Sequence, residues 1–483
     1  MLHKLLIQRG GVASRVSWAA IAQAGKLAIQ FGGIAIMTRL LPVSDFGLLA
    51  MAALFTTFAL LLQDMGTSAA LIQRKELTTE LVSTVFWLNV FVGVGICAIL
   101  IAISPVAALV FAEPRLEPVL MALALVFPLT TIGTVPISLM QRTGRLRQIG
   151  LIELGSATAA LAIAVLAAQH GFGVYSLVIQ QAVGAALQNG MLWLCSEHYP
   201  QLRWSSAEMK RIWGFTGHLV AFNTLNYFNR NADKMLMARF LGAHDLALYS
   251  MGYRFIIAPL QFLGGMSNRV LLPIYSEKQS QPAEIGTHFV KTLALISIVI
   301  GPMMALLWGL RQPVVAVLLG PDWYAVADVL AWFAPVGFIQ AIATNVGLIL
   351  IALGKTKLLR NLGFVGVVLY LSVFFACIPF GIVGVAAGYF FANVGLCAVT
   401  LHIALKLVHQ SLPSLFRAIW KQTLFSCLIG LAAWVPIEYG WLDGISPFLL
   451  LVILAPLGMV LYLALVAMFL RDFLRLLLGA LRK

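Results

Sequence analysis

About fourteen runs of roughly twenty or more mostly apolar residues follow one another along this chain, separated by short charged or Gly/Pro-containing segments. A run of that length crosses the ~30 Å hydrocarbon core of a bilayer as a helix. It must be a helix, because lipid offers no partner to a free backbone N–H or C=O. Barrel strands alternate apolar and polar residues, which these runs do not. The expected fold is therefore all-α: a polytopic membrane protein of about 14 transmembrane helices. Composition agrees, with 61% hydrophobic and 10% charged residues in 483, against about 25% charged in soluble domains. The runs lie at approximately 16–38, 46–71, 82–104, 117–140, 148–169, 172–195, 213–236, 246–274, 288–310, 325–353, 358–379, 382–405, 416–437 and 446–470.

The net charge of +14 would suggest nucleic acid in a soluble protein. Here its distribution points to anionic lipid instead. With a cytoplasmic N-terminus, the inner segments collect most of the 32 Lys and Arg, among them Arg142, Arg145, Arg147, Lys355, Lys357 and Arg360. The outer loops hold Arg39, Arg115, Arg239 and Arg311. Such alternation supports an even number of spans with both termini inside. The first run follows Lys4, Arg9 and Arg15, lacks a small-residue cleavage site and contains Lys26, so it reads as a retained span. The basic, apolar ends 1–7 and 471–483 suit short helices on the inner leaflet or plain cationic anchoring. The five cysteines show no CxxC spacing and read as small core residues.

An internal repeat organises the spans. Residues 37–52 (MTRLLPVSDFGLLAMA) align without gaps on 237–252 (MARFLGAHDLALYSMG), pairing Met37/Met237, Arg39/Arg239, Asp45/Asp245, Leu48/Leu248 and Met51/Met251. Six spans separate the copies, so the halves share one orientation, the layout of a parallel-repeat transporter. The expected domains are an N-terminal lobe, 1–200, with spans 1–6; a C-terminal lobe, 201–410, with spans 7–12; and 411–483, carrying two extra spans and a basic tail.

Polar groups inside the membrane cost at least ~2.5–3.5 kcal/mol when ionised, so each needs a reason. Span 1 carries Gln23, Lys26 and Gln30 on one stripe; span 7 carries Asn223, Asn226, Arg230 and Asp233; span 8 carries Arg254, Gln261 and Asn268. Together they suggest a shared hydrated cavity rich in positive charge. Lys26 lies too deep to reach the head groups, and Arg254 sits in the outer third of its span. Arg230, Asp233 and Arg269 lie near span ends, where pairing or snorkelling serves as well. The acids Asp64, Glu153 and Asp233 are candidates for proton or sodium coupling.

The histidines form no HExxH or similar ligand set, so no metal is expected, nor any other cofactor. Gly354, Lys355 and Thr356 superficially match the end of a phosphate-binding loop, but Ile349 stands where its first glycine belongs. No outer loop is long enough for the convergent catalytic groups of a glycan polymerase or ligase, so no catalytic residue is assigned. A cation/drug antiporter would need acids, not Lys26 and Arg254, in its cavity.

The run 38–48 (TRLLPVSDFGL) resembles a signature of bacterial polysaccharide exporters. So do 64–75 (DMGTSAALIQRK), 84–89 (TVFWLN), 139–142 (LMQR), 171–177 (GFGVYSL), 233–242 (DKMLMARFLG), 248–254 (LYSMGYR) and 268–275 (NRVLLPIY). In this combination the chain resembles the colanic-acid-exporter (WzxC-like) branch of the lipid-linked oligosaccharide flippases, in the multidrug/oligosaccharidyl-lipid/polysaccharide superfamily. The resemblance implies a fourteen-helix, two-lobe fold working by alternating access. It implies a polyprenyl-diphosphate-linked oligosaccharide moved to the outer leaflet of the bacterial inner membrane, with a polysaccharide polymerase and export machinery as further partners. Lys26 and Arg254 resemble the cavity cations of other flippases by helix and depth.

Overall fold

The structure is a computed structural model that describes residues 12–63, 68, 71–72, 77–196, 199–205, 224, 227, 231–279 and 281–469, without side chains for 12–17, 19–21, 261–270 and 356. The flanks 1–7 and 471–483 lie outside these residues, as does most of the expected seventh span. Among the described residues there is no strand.

The first half comprises α1 (Val12–Leu40), α2 (Val43–Gln63), α3 (Thr79–Phe111), α4 (Leu116–Ala124), α5 (Val126–Thr131), α6 (Thr134–Arg142), α7 (Leu146–Gln169) and α8 (Tyr175–Leu194). The second comprises α9 (Gly242–Glu277), α10 (Pro282–Gly309), α11 (Arg311–Leu318), α12 (Ala325–Ala352), α13 (Thr356–Cys377), α14 (Gly381–Leu407), α15 (Leu412–Glu438) and α16 (Pro447–Phe469). Among the described residues, 9 stretches are long and apolar enough to cross a membrane. One of them, Lys357–Leu407, holds both α13 and α14. Helices α1, α8 and α9 have the length but are diluted by polar residues.

The fourth expected span is broken into α4, α5 and α6, and its breaks follow from proline chemistry. Pro136 has no N–H to give the Ile132 carbonyl one turn back. The Trp193 indole N–H on α8 donates there instead, at 2.9 Å. The Gly133 N–H turns to Thr130 at 3.3 Å, and the Leu129 carbonyl accepts from the Asn189 amide. Helix α3 solves the same problem locally: Ile101, left without a donor by Pro105, accepts from the Ser104 hydroxyl at 2.8 Å. Broken backbone is tolerable at membrane depth because neighbouring side chains satisfy it.

The chain forms two compact units, Met1–Ala247 and Leu248–Lys483. Within the first, α1 packs along α7, α7 along α8, and α3 against α4 and α5. Within the second, α10 lies along α15 and α12, α14 against α12 and α13, and α16 against α15. Small residues set these approaches, as they do between membrane helices generally. A Cβ on Gly430 of α15 would lie 2.8 Å from the Ala305 carbonyl oxygen, and one on Gly309 of α10 only 2.3 Å from that of Gly430.

The repeat has a structural counterpart. In each copy a helix ends, the chain turns, and a new helix starts: at 41–42 before α2, and at 241 before α9. Leu41 N–H donates to the Met37 carbonyl at 3.0 Å, and Leu241 N–H to that of Met237 at 2.8 Å. The matching Met37/Met237, Leu48/Leu248 and Met51/Met251 are all buried. Both corners belong to the first unit, where a Cβ on Gly47 would lie 1.8 Å from the Ala243 carbonyl oxygen. Only glycine permits that approach.

Candidate functional site

Helix α1 places Lys26 at its midpoint, about 21 Å from either end at 1.5 Å per residue. Helices α1 and α7 run in parallel with a nearly constant register: Ala22 faces Gly150, Gly25 faces Leu154 and Gly33 faces Leu161. The glycines let the backbones close, and the same register sets Lys26 beside Glu153. Their Nζ–Oε2 distance is 3.0 Å. The side chains are 48% and 22% exposed, so the pair fronts open space instead of being sealed in the helix interface.

That space is a cavity of about 630 Å³ within the first unit, walled by α1, α2, α4, α5, α7 and α8. Its polar lining comprises Gln30, Thr56, Thr130, Ser156, Gln180, Gln181, Gln188 and Asn189, with Lys26 and Glu153 as its two charged residues. Apolar Ile29, Leu60, Leu123, Val126 and Phe127, with small residues of α7 and α8, complete the wall. The Thr130 hydroxyl donates to the Gln63 side-chain oxygen at 3.3 Å. Chemically, the cavity offers one ammonium paired to one carboxylate, ringed by amides that both donate and accept. Such a lining suits a hydroxyl-rich ligand.

Of the residues expected at a cavity, Lys26, Gln30 and Glu153 come together here. Gln23 is exposed on α1 and does not line the cavity. Arg254 is exposed on α9, in the second unit, without a hydrogen-bond or ion-pair partner among the described residues. Asp233 is buried within the helical residues 231–240. Gln261 belongs to α9 but its side chain is not described, and Asp64, Asn223, Asn226 and Arg230 lie outside the described residues. The positive charge expected of the cavity is, in this unit, balanced by Glu153.

Four lining amides escaped the sequence reading. Gln180 and Gln181 precede Gln188 and Asn189 by eight residues, about two turns, which puts both pairs on one face of α8. That stripe was visible in the same way as the one on span 1. Thr130 had no such signal, because its place depends on the break in the fourth span.

The exporter-like motifs acquire physical roles. Asp45, buried near the start of α2, holds Arg115, just before α4, at 2.8 Å. Arg142 donates to the Leu71 carbonyl at 3.0 Å. The start of α3 pins the segment after α8: the Ser83 and Thr84 hydroxyls accept the N–H groups of Gln201 and Ser205, and Trp87 Nε1 donates to the Gln201 carbonyl.

Comparison with known proteins places this architecture. The chain is 25% identical over 347 residues to the lipopolysaccharide biosynthesis protein WzxC of Escherichia coli K12, covering 71% of this chain and 70% of that one. It is 25% identical to the succinoglycan biosynthesis transport protein ExoT of Rhizobium meliloti, over 65% of this chain and 63% of that one. Its fold is that of the lipid II flippase MurJ in an inward closed conformation, at a TM-score of 0.71 and 12% identity, covering 94% of this chain and 99% of that one. The family described as polysaccharide biosynthesis protein matches residues 36–328, a stretch that takes in both corners, Glu153 and α8. Spanning more than half of the chain, that match makes this a member of the polysaccharide biosynthesis protein family.

Proposed function

We propose that this protein carries a polyprenyl-diphosphate-linked oligosaccharide repeat unit from the cytoplasmic to the outer leaflet of the bacterial inner membrane, for assembly of a cell-surface polysaccharide. The observation that carries this reading is the amide-rich cavity built around Lys26 at the centre of α1, inside a wall of apolar helices. An anionic sugar head group cannot enter hydrocarbon, because its oxygens would lose their hydration. Here an ammonium supplies charge-assisted hydrogen bonds, and the amides of α1 and α8 replace water around hydroxyls. The polyprenyl tail stays in lipid. Alternating access of the two halves, with both termini cytoplasmic, moves the head group. Arg254 serves as the second cation, and Gln23, Asn223, Asn226, Arg230 and Gln261 extend the polar path. A polysaccharide polymerase and export machinery receive the product. The role is transport, without a covalent step.

The family membership and the names of the relatives support a role in polysaccharide export. The test is reconstitution into liposomes with a fluorescent polyprenyl-diphosphate oligosaccharide, followed by leaflet accessibility. Accelerated translocation that is lost in Lys26→Ala is the expected result. Equal rates in protein-containing and empty vesicles, under proton and sodium gradients of either sign, would reject it.

A cation/drug antiporter is the second reading, and Glu153 favours it, since an acid inside the cavity is what a cationic ligand needs. It predicts efflux of cationic drugs from the same vesicles, lost in Glu153→Gln.

A further inference from the structure

Glu153 is superfluous in a cavity that merely has to attract anions. It lies 3.0 Å from the cavity's cation, and Lys26 is its carboxylate's one partner among the described residues. The Ser156 hydroxyl donates to the backbone carbonyl of Glu153, not to its side chain. Nor can the acid drift away. The register of α1 on α7 is set by Gly25, Gly33 and Gly150, whose neighbours across the interface are already in contact. Yet the pair is open to the cavity, with the Lys26 side chain 48% exposed. This is an ion pair held in place by its backbones and exchangeable at its tips.

We propose that Glu153 is a specificity-determining residue: a resident competitor for Lys26 that a head group with two phosphates displaces and one with a single phosphate does not. The inference rests on the flippase reading above and sharpens it. A bilayer is crowded with monoanionic phosphodiester lipids, and an unpaired lysine would take any of them. A single phosphate that reaches Lys26 trades one charge-assisted hydrogen bond for another and sits beside a like charge. It gains little. A diphosphate sets one phosphate on Lys26 and keeps the other for the amide N–H donors of Gln30 and Gln181, contacts that the carboxylate does not make. The exchange then runs in its favour.

The test compares two probes that differ by one phosphate: glucosyl polyprenyl diphosphate and glucosyl polyprenyl monophosphate. Binding to the full-length protein in phosphatidylcholine nanodiscs is read by native mass spectrometry, with phosphatidylglycerol as a third competitor. The wild type is expected to prefer the diphosphate by about tenfold or more. In Glu153→Gln that preference falls at least about fivefold, mainly through tighter binding of the monophosphate and of phosphatidylglycerol. Glu153→Asp, which keeps the charge, restores it. Should the Gln variant not fold, Glu153→Met, similar in length and uncharged, tests the same point. Diphosphate binding by the wild type with an unchanged preference in the uncharged variants overturns the role of Glu153 and leaves the flippase reading standing. A wild type that takes up neither glucosyl probe overturns both.

Discussion

Lys26 illustrates how far a single residue can be read. Its depth in span 1 is legible in the sequence, because it lies ~10 residues, roughly 15 Å, from either end of the run 16–38, too far for a Lys side chain to reach out easily. Its partner is not legible, since Glu153 lies 127 residues away and no local pattern connects them. Removing the ammonium leaves the carboxylate alone in the cavity. Lys26→Ala is therefore expected to lower translocation about tenfold or more while the protein still purifies folded; leaflet-accessibility rates and size-exclusion profiles check this. Glycines give a second contrast at this scale. Gly47→Ala forces a methyl into the Ala243 carbonyl, whereas a Cβ on Gly32 meets nothing within 4 Å. Gly47→Ala should cost about 1–3 kcal/mol and lower the melting temperature, with Gly32→Ala neutral or slightly stabilising. The DFG-like motif at 45–47 thereby acquires a reason: its aspartate binds Arg115, and its glycine admits the second corner.

At the scale of elements, most helices were readable to within a few residues. Twenty apolar residues in lipid have one conformation that pairs their backbone. The exception is informative. The fourth span reads as one run from 117 to 140 but forms three helices: Pro136 leaves the Ile132 carbonyl to Trp193, and the Gly133 N–H, turned to Thr130, leaves the Leu129 carbonyl to Asn189. Asn189 and Trp193 thus hold a break open beside the cavity. Trp193→Phe or Asn189→Leu should each destabilise the purified protein by about 1 kcal/mol, the usual worth of a hydrogen bond between membrane helices, as read by thermal unfolding in detergent. The α10–α15 pair rests on backbone contact instead. Gly430→Val drives a branched side chain into Ala305 and should cost more than either, visible as a larger drop in melting temperature.

For the whole molecule, the two corners with matching hydrogen bonds and matching buried methionines give the 200-residue repeat a physical basis. The sequence places two extra spans beyond the repeat. In the second unit they are not peripheral: Phe425 and Ile429 of α15 and Tyr462 and Val466 of α16 form one buried cluster with Leu306 of α10 and with Leu310, which follows it. A chain truncated after residue 410 exposes that cluster, and it should accumulate in the membrane at a small fraction of the full-length level, as measured by quantitative blotting.

The sequence by itself determined the class and the course of this chain: apolar helices in lipid, with a short internal repeat that marks two equivalent corners. Those properties are local or periodic, and the bilayer removes every competing backbone conformation. Only the tertiary structure decided which polar groups meet. Glu153 faces Lys26 because Gly25, Gly33 and Gly150 let two distant helices close in one register. Asn189 meets the Leu129 carbonyl at the cavity because the helix opposite is broken at Gly133. Contacts of this kind depend on packing between elements far apart in the chain, where small residues leave no signature of what they admit.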